Sequence, residues 1–128
     1  MIYKSELRGD NMIKQKPSVF VALRFATKTL NEIKKIILEH KKELRERYKV
    51  KTIGIFGSYA RGEQKETSDI DILVEFYEPI GLDIVDLKEY LEKILNIEVD
   101  LIIKKSIQNP YLKKSVEEDL IYVYRSEA

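Results

Sequence analysis

Apolar positions change period several times along this 128-residue chain, and each change marks an element. Leu30, Ile33, Ile37, His40, Leu44 and Tyr48 recur three or four apart, which predicts a helix running to about Tyr48. Thr29 and Glu32 have the spacing of a capping box at its start. Thr52 to Phe56 is short, β-branched and apolar, and stops at Gly57, as a buried strand would. From Ile70 to Phe76 the chain alternates. Ile70, Ile72, Val74 and Phe76 take one face, and Asp69, Asp71, Leu73 and Glu75 the other.

Tyr77 to Gly81 reads as a loop. Ile84, Leu87, Leu91 and Ile94 then return to helical spacing, with Asp83 as cap and Asn96 as stop. A third strand follows from Glu98 to Ile103, with Glu98, Asp100 and Ile102 opposite Val99, Leu101 and Ile103. Asn109-Pro110 opens a helix to about Asp119 that packs Leu112 and Val116. Leu120 to Tyr124 alternates as a closing strand at a sheet edge. This order predicts a small α/β (α+β) domain, a mixed sheet with helices packed on one side.

Residues 1–26 have no such period: they are polar to Lys16, broken at Pro17, and apolar from Val19 to Phe25. They read as an N-terminal arm or extension, either poorly ordered or docking on a partner, ahead of a domain spanning 27–125. Five apolar residues, Val19 to Leu23, are too few for a signal peptide, and no run approaches the ~18 needed to span a bilayer. A cytoplasmic protein is expected.

Composition narrows the chemistry. Cysteine is absent and His40 is the single histidine, so zinc has no ligand set. A bound metal must be hard and oxygen-ligated, favouring magnesium or manganese. With 23 Lys and Arg against 22 Asp and Glu, the net charge of +1 gives no general pull toward nucleic acid. The basic face of the first helix (Lys34, Lys35, Lys41, Lys42, Arg45) has glutamates within a turn and reads first as a solvated, ion-paired surface; an RNA or acidic-partner footprint is the alternative. His40, on the apolar stripe, is expected to pack.

Asp69 and Asp71, two apart on a strand, point the same way with Cα atoms roughly 6.5–7 Å apart, a costly pair unless something positive joins them. The nearby Gly57-Ser58 corner offers a hydroxyl and backbone N–H groups at the head of a short helical turn, which suits a phosphate. No Lys-Ser/Thr follows, so this is not a Walker loop. Arg61 either reaches a phosphate or pairs with a strand carboxylate. Ser68 reads as a turn residue. Asp100, inside an apolar strand, is expensive without a partner.

Gly57-Ser58, ten residues from Tyr59 to Ser68, then Asp69-Ile70-Asp71 resembles the signature of minimal nucleotidyltransferase (MNT) domains of the DNA polymerase β superfamily. The similarity extends from about Thr29 to Tyr124, with Asp100 where such domains carry a third carboxylate. It implies a polymerase β-type palm with Asp69, Asp71 and Asp100 gathered at one end of the sheet. By the same resemblance, these three are the catalytic residues and the ligands of two Mg2+ ions (Mn2+ as the alternative), with Asp69 and Asp71 bridging both. Gly57, Ser58 and Arg61 are the nucleotide-binding residues.

The implied reaction is attack of an acceptor hydroxyl on the α-phosphate of a nucleoside triphosphate, expelling pyrophosphate. Stand-alone domains of this kind accompany HEPN-domain RNase toxins. The resemblance therefore implies a protein adenylyltransferase that moves AMP from ATP onto a toxin tyrosine and acts as a type VII antitoxin. Two alternatives stand beside it: an antitoxin that masks its toxin by binding alone, and nucleotidyl transfer to a small molecule or RNA. Self-modification is a further expectation, with Tyr59 among the targets.

Overall fold

The computed structural model describes residues 28–81 and 83–125; the expected arm over 1–26 lies outside them. The chain runs α1 (Leu30–Glu39), α2 (Lys41–Glu46), β1 (Val50–Phe56), α3 (Ser58–Arg61), β2 (Ile70–Phe76), α4 (Asp83–Leu95), β3 (Val99–Ile103), a 3-10 turn (Lys104–Ser106), α5 (Pro110–Asp119) and β4 (Ile121–Arg125). Of the three predicted caps, Thr29 and Asn109 form, while Asp83 is the first residue of α4 itself. Thr29 Oγ1 accepts from the N–H of Glu32 at 3.2 Å while Glu32 Oε1 accepts from that of Thr29 at 2.8 Å. Asn109 Oδ1 accepts from the N–H groups of Tyr111 and Leu112, with Pro110 at the first helical position.

The first helix is not continuous to Tyr48. It breaks at His40, whose φ of −109° and ψ of 13° leave the helical region. The cause is local. The His40 backbone N–H donates to Ile37, and its ring Nδ1 lies 2.8 Å from the carbonyl of Ile36, which in a regular helix would accept that N–H. The ring packs edge-on to Tyr90 with centroids 5.9 Å apart, as the packing role expected of it requires. The apolar stripe runs across the break without losing register: Ile33, Ile37, Leu44 and Tyr48 are all buried. Periodicity alone therefore did not reveal it.

The four strands lie in the order β3-β2-β1-β4, with β2 and β3 parallel and the other pairs antiparallel. On one face Ile53, Ile55, Ile70, Ile72, Val74 and Val99 meet Ile33 and Ile37 of α1 and Leu87, Leu91 and Leu95 of α4. Fully burying each such side chain is worth about 1.5–3 kcal/mol, so this layer dominates the fold. The opposite face has its own smaller core, where Phe56 and Leu73 pack with Val116 of α5. The mixed sheet is as expected, but α5 lies across from α1 and α4. The reason is visible in the alternation: Leu73 and Ile102 are apolar on the face that also carries Asp71 and Asp100, and α5 covers them.

Candidate active site

Register brings the acidic residues together. In the parallel pairing of β2 with β3, Asp71 stands directly opposite Asp100, while antiparallel pairing with β1 puts Phe56 opposite Asp71 on its other side. Strand neighbours in register share a face, so the two carboxylates project side by side. Each carboxylate stands in the field of the other, which favours a proton on Asp71. Burial first, then the charges of Asp100 and Asp69, push the carboxyl of Asp71 up from 3.8 to about 6, against a smaller downward pull from Arg61.

Asp69 sits one residue before β2 and is exposed. Its charge is felt at Asp71 and at Tyr59. Of the three carboxylates expected to gather, Asp71 and Asp100 stand side by side in register, and among the described residues no three His, Cys, Asp or Glu side chains are grouped to hold a metal. Asp69 lies outside the strand pairing that fixes the other two, so the ladder does not dictate where its side chain points. The donors themselves fit a hard divalent cation: oxygen only, and like-charged, so that a cation would offset their repulsion.

Gly57 closes the site from the β1 side. Its φ of 74° and ψ of −150° belong to a region essentially reserved for glycine. A Cβ there would overlap Oδ2 of Asp71 and stand 3.1 Å from its Cγ. Only a residue without a side chain lets the turn pass the carboxylate. The four-residue α3 starts at Ser58, with the N–H of Arg61 donating to the carbonyl of Gly57 at 3.1 Å.

Arg61 pairs outside the strands and not with a strand carboxylate. Its guanidinium donates to Glu63 at 2.8 Å and to Asp119, at the end of α5, at 2.6 Å. Asp119 was not legible as part of this region, because nothing in the motif points to a residue 58 positions away. Ser68 is a turn residue as expected, its Oγ accepting from the N–H of Lys65 at 2.8 Å. Tyr59 is a correction. It is 2 % exposed and packed in the main core, where burial raises its hydroxyl pKa, so it is closed to self-modification as folded.

With this geometry in place, comparisons with known proteins give a consistent answer. Residues 37–123 match the model of the nucleotidyltransferase domain. A Methanocaldococcus jannaschii protein named "Putative protein adenylyltransferase MJ0126" is 66% identical over 97 residues, covering 75% of this chain and 99% of that protein. Protein adenylyltransferase MntA of Thermococcus cleftensis is 52% identical over 96 residues, covering 74% and 96%. Among solved structures, a toxin-antitoxin crystal structure with AMP-PNP superposes with a TM-score of 0.60 at 28% identity, covering 73% of this chain and 74% of that one. Sequence, sheet order and relatives converge, and the chain belongs to the nucleotidyltransferase domain family, in the branch whose named members are protein adenylyltransferases.

Proposed function

We propose that the chain, through its domain over 27–125, transfers AMP from ATP to a tyrosine hydroxyl of a HEPN-domain toxin in the cytoplasm, and acts as that toxin's antitoxin. The observation that carries the chemistry is the Asp71–Asp100 pair, fixed by strand register and abutted by the Gly57 turn. The choice of nucleotide draws support from the relatives' adenylyltransferase names, and the choice of partner from the structural neighbour's toxin-antitoxin assembly with AMP-PNP.

Asp71 and Asp100, joined by Asp69, would hold Mg2+; when bound it supplies positive charge for the triphosphate and the displaced pyrophosphate. Each residue then has one task. The turn at Gly57 and Ser58 receives the β- and γ-phosphates, because a chain without a side chain there admits close approach. Arg61, already held by Glu63 and Asp119, contributes positive potential at that end of the site. Asp100, exposed on β3, takes the acceptor's proton. The acceptor oxygen bonds to the α-phosphorus as the bond to the bridging oxygen breaks, and pyrophosphate leaves.

The test is incubation with radiolabelled ATP, Mg2+ and a purified HEPN-domain toxin. Label is expected on a toxin tyrosine by mass spectrometry, and is expected to vanish with Asp69→Asn and Asp71→Asn. Label in the non-protein fraction would instead assign a small-molecule or RNA acceptor. Neutralisation of the toxin with no nucleotide present, at equal potency in Asp71→Asn, would assign masking by binding alone.

A further inference from the structure

β3 is an outer strand: among the described residues it pairs with β2 alone. The N–H of Ile70 donates to the carbonyl of Glu98 at 2.9 Å, so the even-numbered positions of this strand turn their backbone toward β2. Val99, Leu101 and Ile103 therefore turn theirs outward. Val99 shows the parity directly, its N–H donating to Glu92 Oε2 at 3.0 Å. Beyond that cap, the outward N–H groups of Leu101 and Ile103 meet no acceptor among the described residues. Unpaired edge groups of this kind are a template for another strand.

A groove of about 400 Å3 follows this edge. Ile84, Leu101 and Ile103 wall it on the helix-covered side, and Ile102, Ile107 and Leu112 on the side carrying the acid pair. Because residues from both faces of β3 line it, the groove wraps the strand's rim. An added strand would find backbone donors at the rim and apolar hollows for alternate side chains, the two elements of strand-addition recognition. Its residue opposite Asp100 would extend the row that already runs Phe56, Asp71, Asp100, at the interstrand spacing of ~4.8 Å.

We propose that this edge binds an extended segment of the acceptor protein as a fifth strand, with the acceptor hydroxyl residue opposite Asp100 and an apolar residue two positions away in the hollow of Ile102, Ile107 and Leu112. The inference rests on the adenylyl-transfer reading for its acceptor and adds the surface and the sequence rule that select it. The Glu92 cap on Val99 sets the limit, leaving the rim from the Val99 carbonyl to Ile103 for the incoming chain.

Two variants outside the catalytic and nucleotide-binding machinery test it. Gln108→Trp fills the groove from an exposed position, and Ile103→Pro deletes one outward donor at a place where an edge strand tolerates proline. Both are checked for folding by thermal unfolding. With radiolabelled ATP and the HEPN-domain toxin, each is expected to raise KM for the toxin at least about tenfold while leaving affinity for ATP unchanged. In hydrogen–deuterium exchange, the toxin is expected to protect the amides of Leu101 and Ile103. Wild-type KM in both variants, or free exchange of these amides in the complex, overturns the proposal while leaving the transfer reading intact. Protection in wild type without any label transfer keeps strand addition and removes the transfer reading. Protection that grows with the chain's own concentration, with no toxin present, assigns the edge to a second copy and overturns it.

Discussion

Gly57 and Asp71 are locked together: the glycine's backbone runs so close to the carboxylate that a Cβ on it would overlap Oδ2. Antiparallel pairing places the end of β1 beside Asp71, and the turn must pass over that side chain before α3 can begin. Gly57→Ala meets both the overlap and a backbone region costing on the order of 1–3 kcal/mol for a residue with a side chain. It is expected to lower stability by about that amount and to reduce AMP transfer at least ~100-fold by displacing Asp71, as a catalytic group moved by an ångström would. Urea unfolding and the labelled-ATP assay read the two effects separately.

The raised pKa of Asp71 makes stability depend on pH in a definite direction. Its carboxyl titrates near 6 in the folded chain against 3.8 ordinarily, so the folded state holds the proton more tightly. The stabilisation is complete below about pH 4 and is lost as pH rises through 6. The side chain is only half buried, so the effect is discounted for solvent screening to on the order of 1–2 kcal/mol. In metal-free buffer, Asp71→Asn is expected to remove this slope and to be more stable than wild type at pH 7.5. Urea midpoints across pH 4–8 decide it; identical slopes in the two proteins would contradict the raised titration of Asp71.

Mg2+ should reverse that order. At pH 7.5, above the titration near 6, the pair is charged, and a cation held by Asp71 and Asp100 would offset their repulsion, so millimolar Mg2+ is expected to raise the Tm of wild type at that pH, with no gain in Asp71→Asn. EDTA should return wild type to its starting value. Differential scanning calorimetry makes the comparison.

Arg61 and Asp119 tie the turn after β1 to the far end of α5. Both Arg61→Gln and Asp119→Asn are expected to loosen that tie, lowering Tm slightly, with the double variant no worse than the more damaging single one. The effect should fade in molar salt, because Arg61 is well exposed. Any additional role of Arg61 at a phosphate would show as a higher KM for ATP in Arg61→Gln alone.

Leu73 anchors the strand that carries Asp71 against α5. It lies two residues beyond Asp71 on the same face, is 1% exposed, and packs with Phe56 and Val116. Leu73→Ala is expected to cost about 2–5 kcal/mol by leaving a cavity under α5. The measurement is urea unfolding, with Leu91→Ala in the main core as a comparison of similar size.

Much of this protein was written in its residue pattern. The alternation from Ile70 to Phe76 put Asp71 and Leu73 on the face opposite Ile72, and Thr29, Glu32, Asn109 and Pro110 set the helix starts, because periodicity and capping act between residues a few positions apart. The spacing from Gly57 to Asp71 likewise marked the family before any coordinates, and the third aspartate was named from the same resemblance. Tertiary structure alone decided what depends on contacts between distant segments. The parallel register puts Asp100 beside Asp71; α5 crosses to the other face; Asp119 reaches Arg61; Tyr59 turns inward; and among the described residues β3 pairs with β2 alone. Strand register and helix docking are settled by which apolar faces fit together across the whole chain, and no local run of residues carries that information.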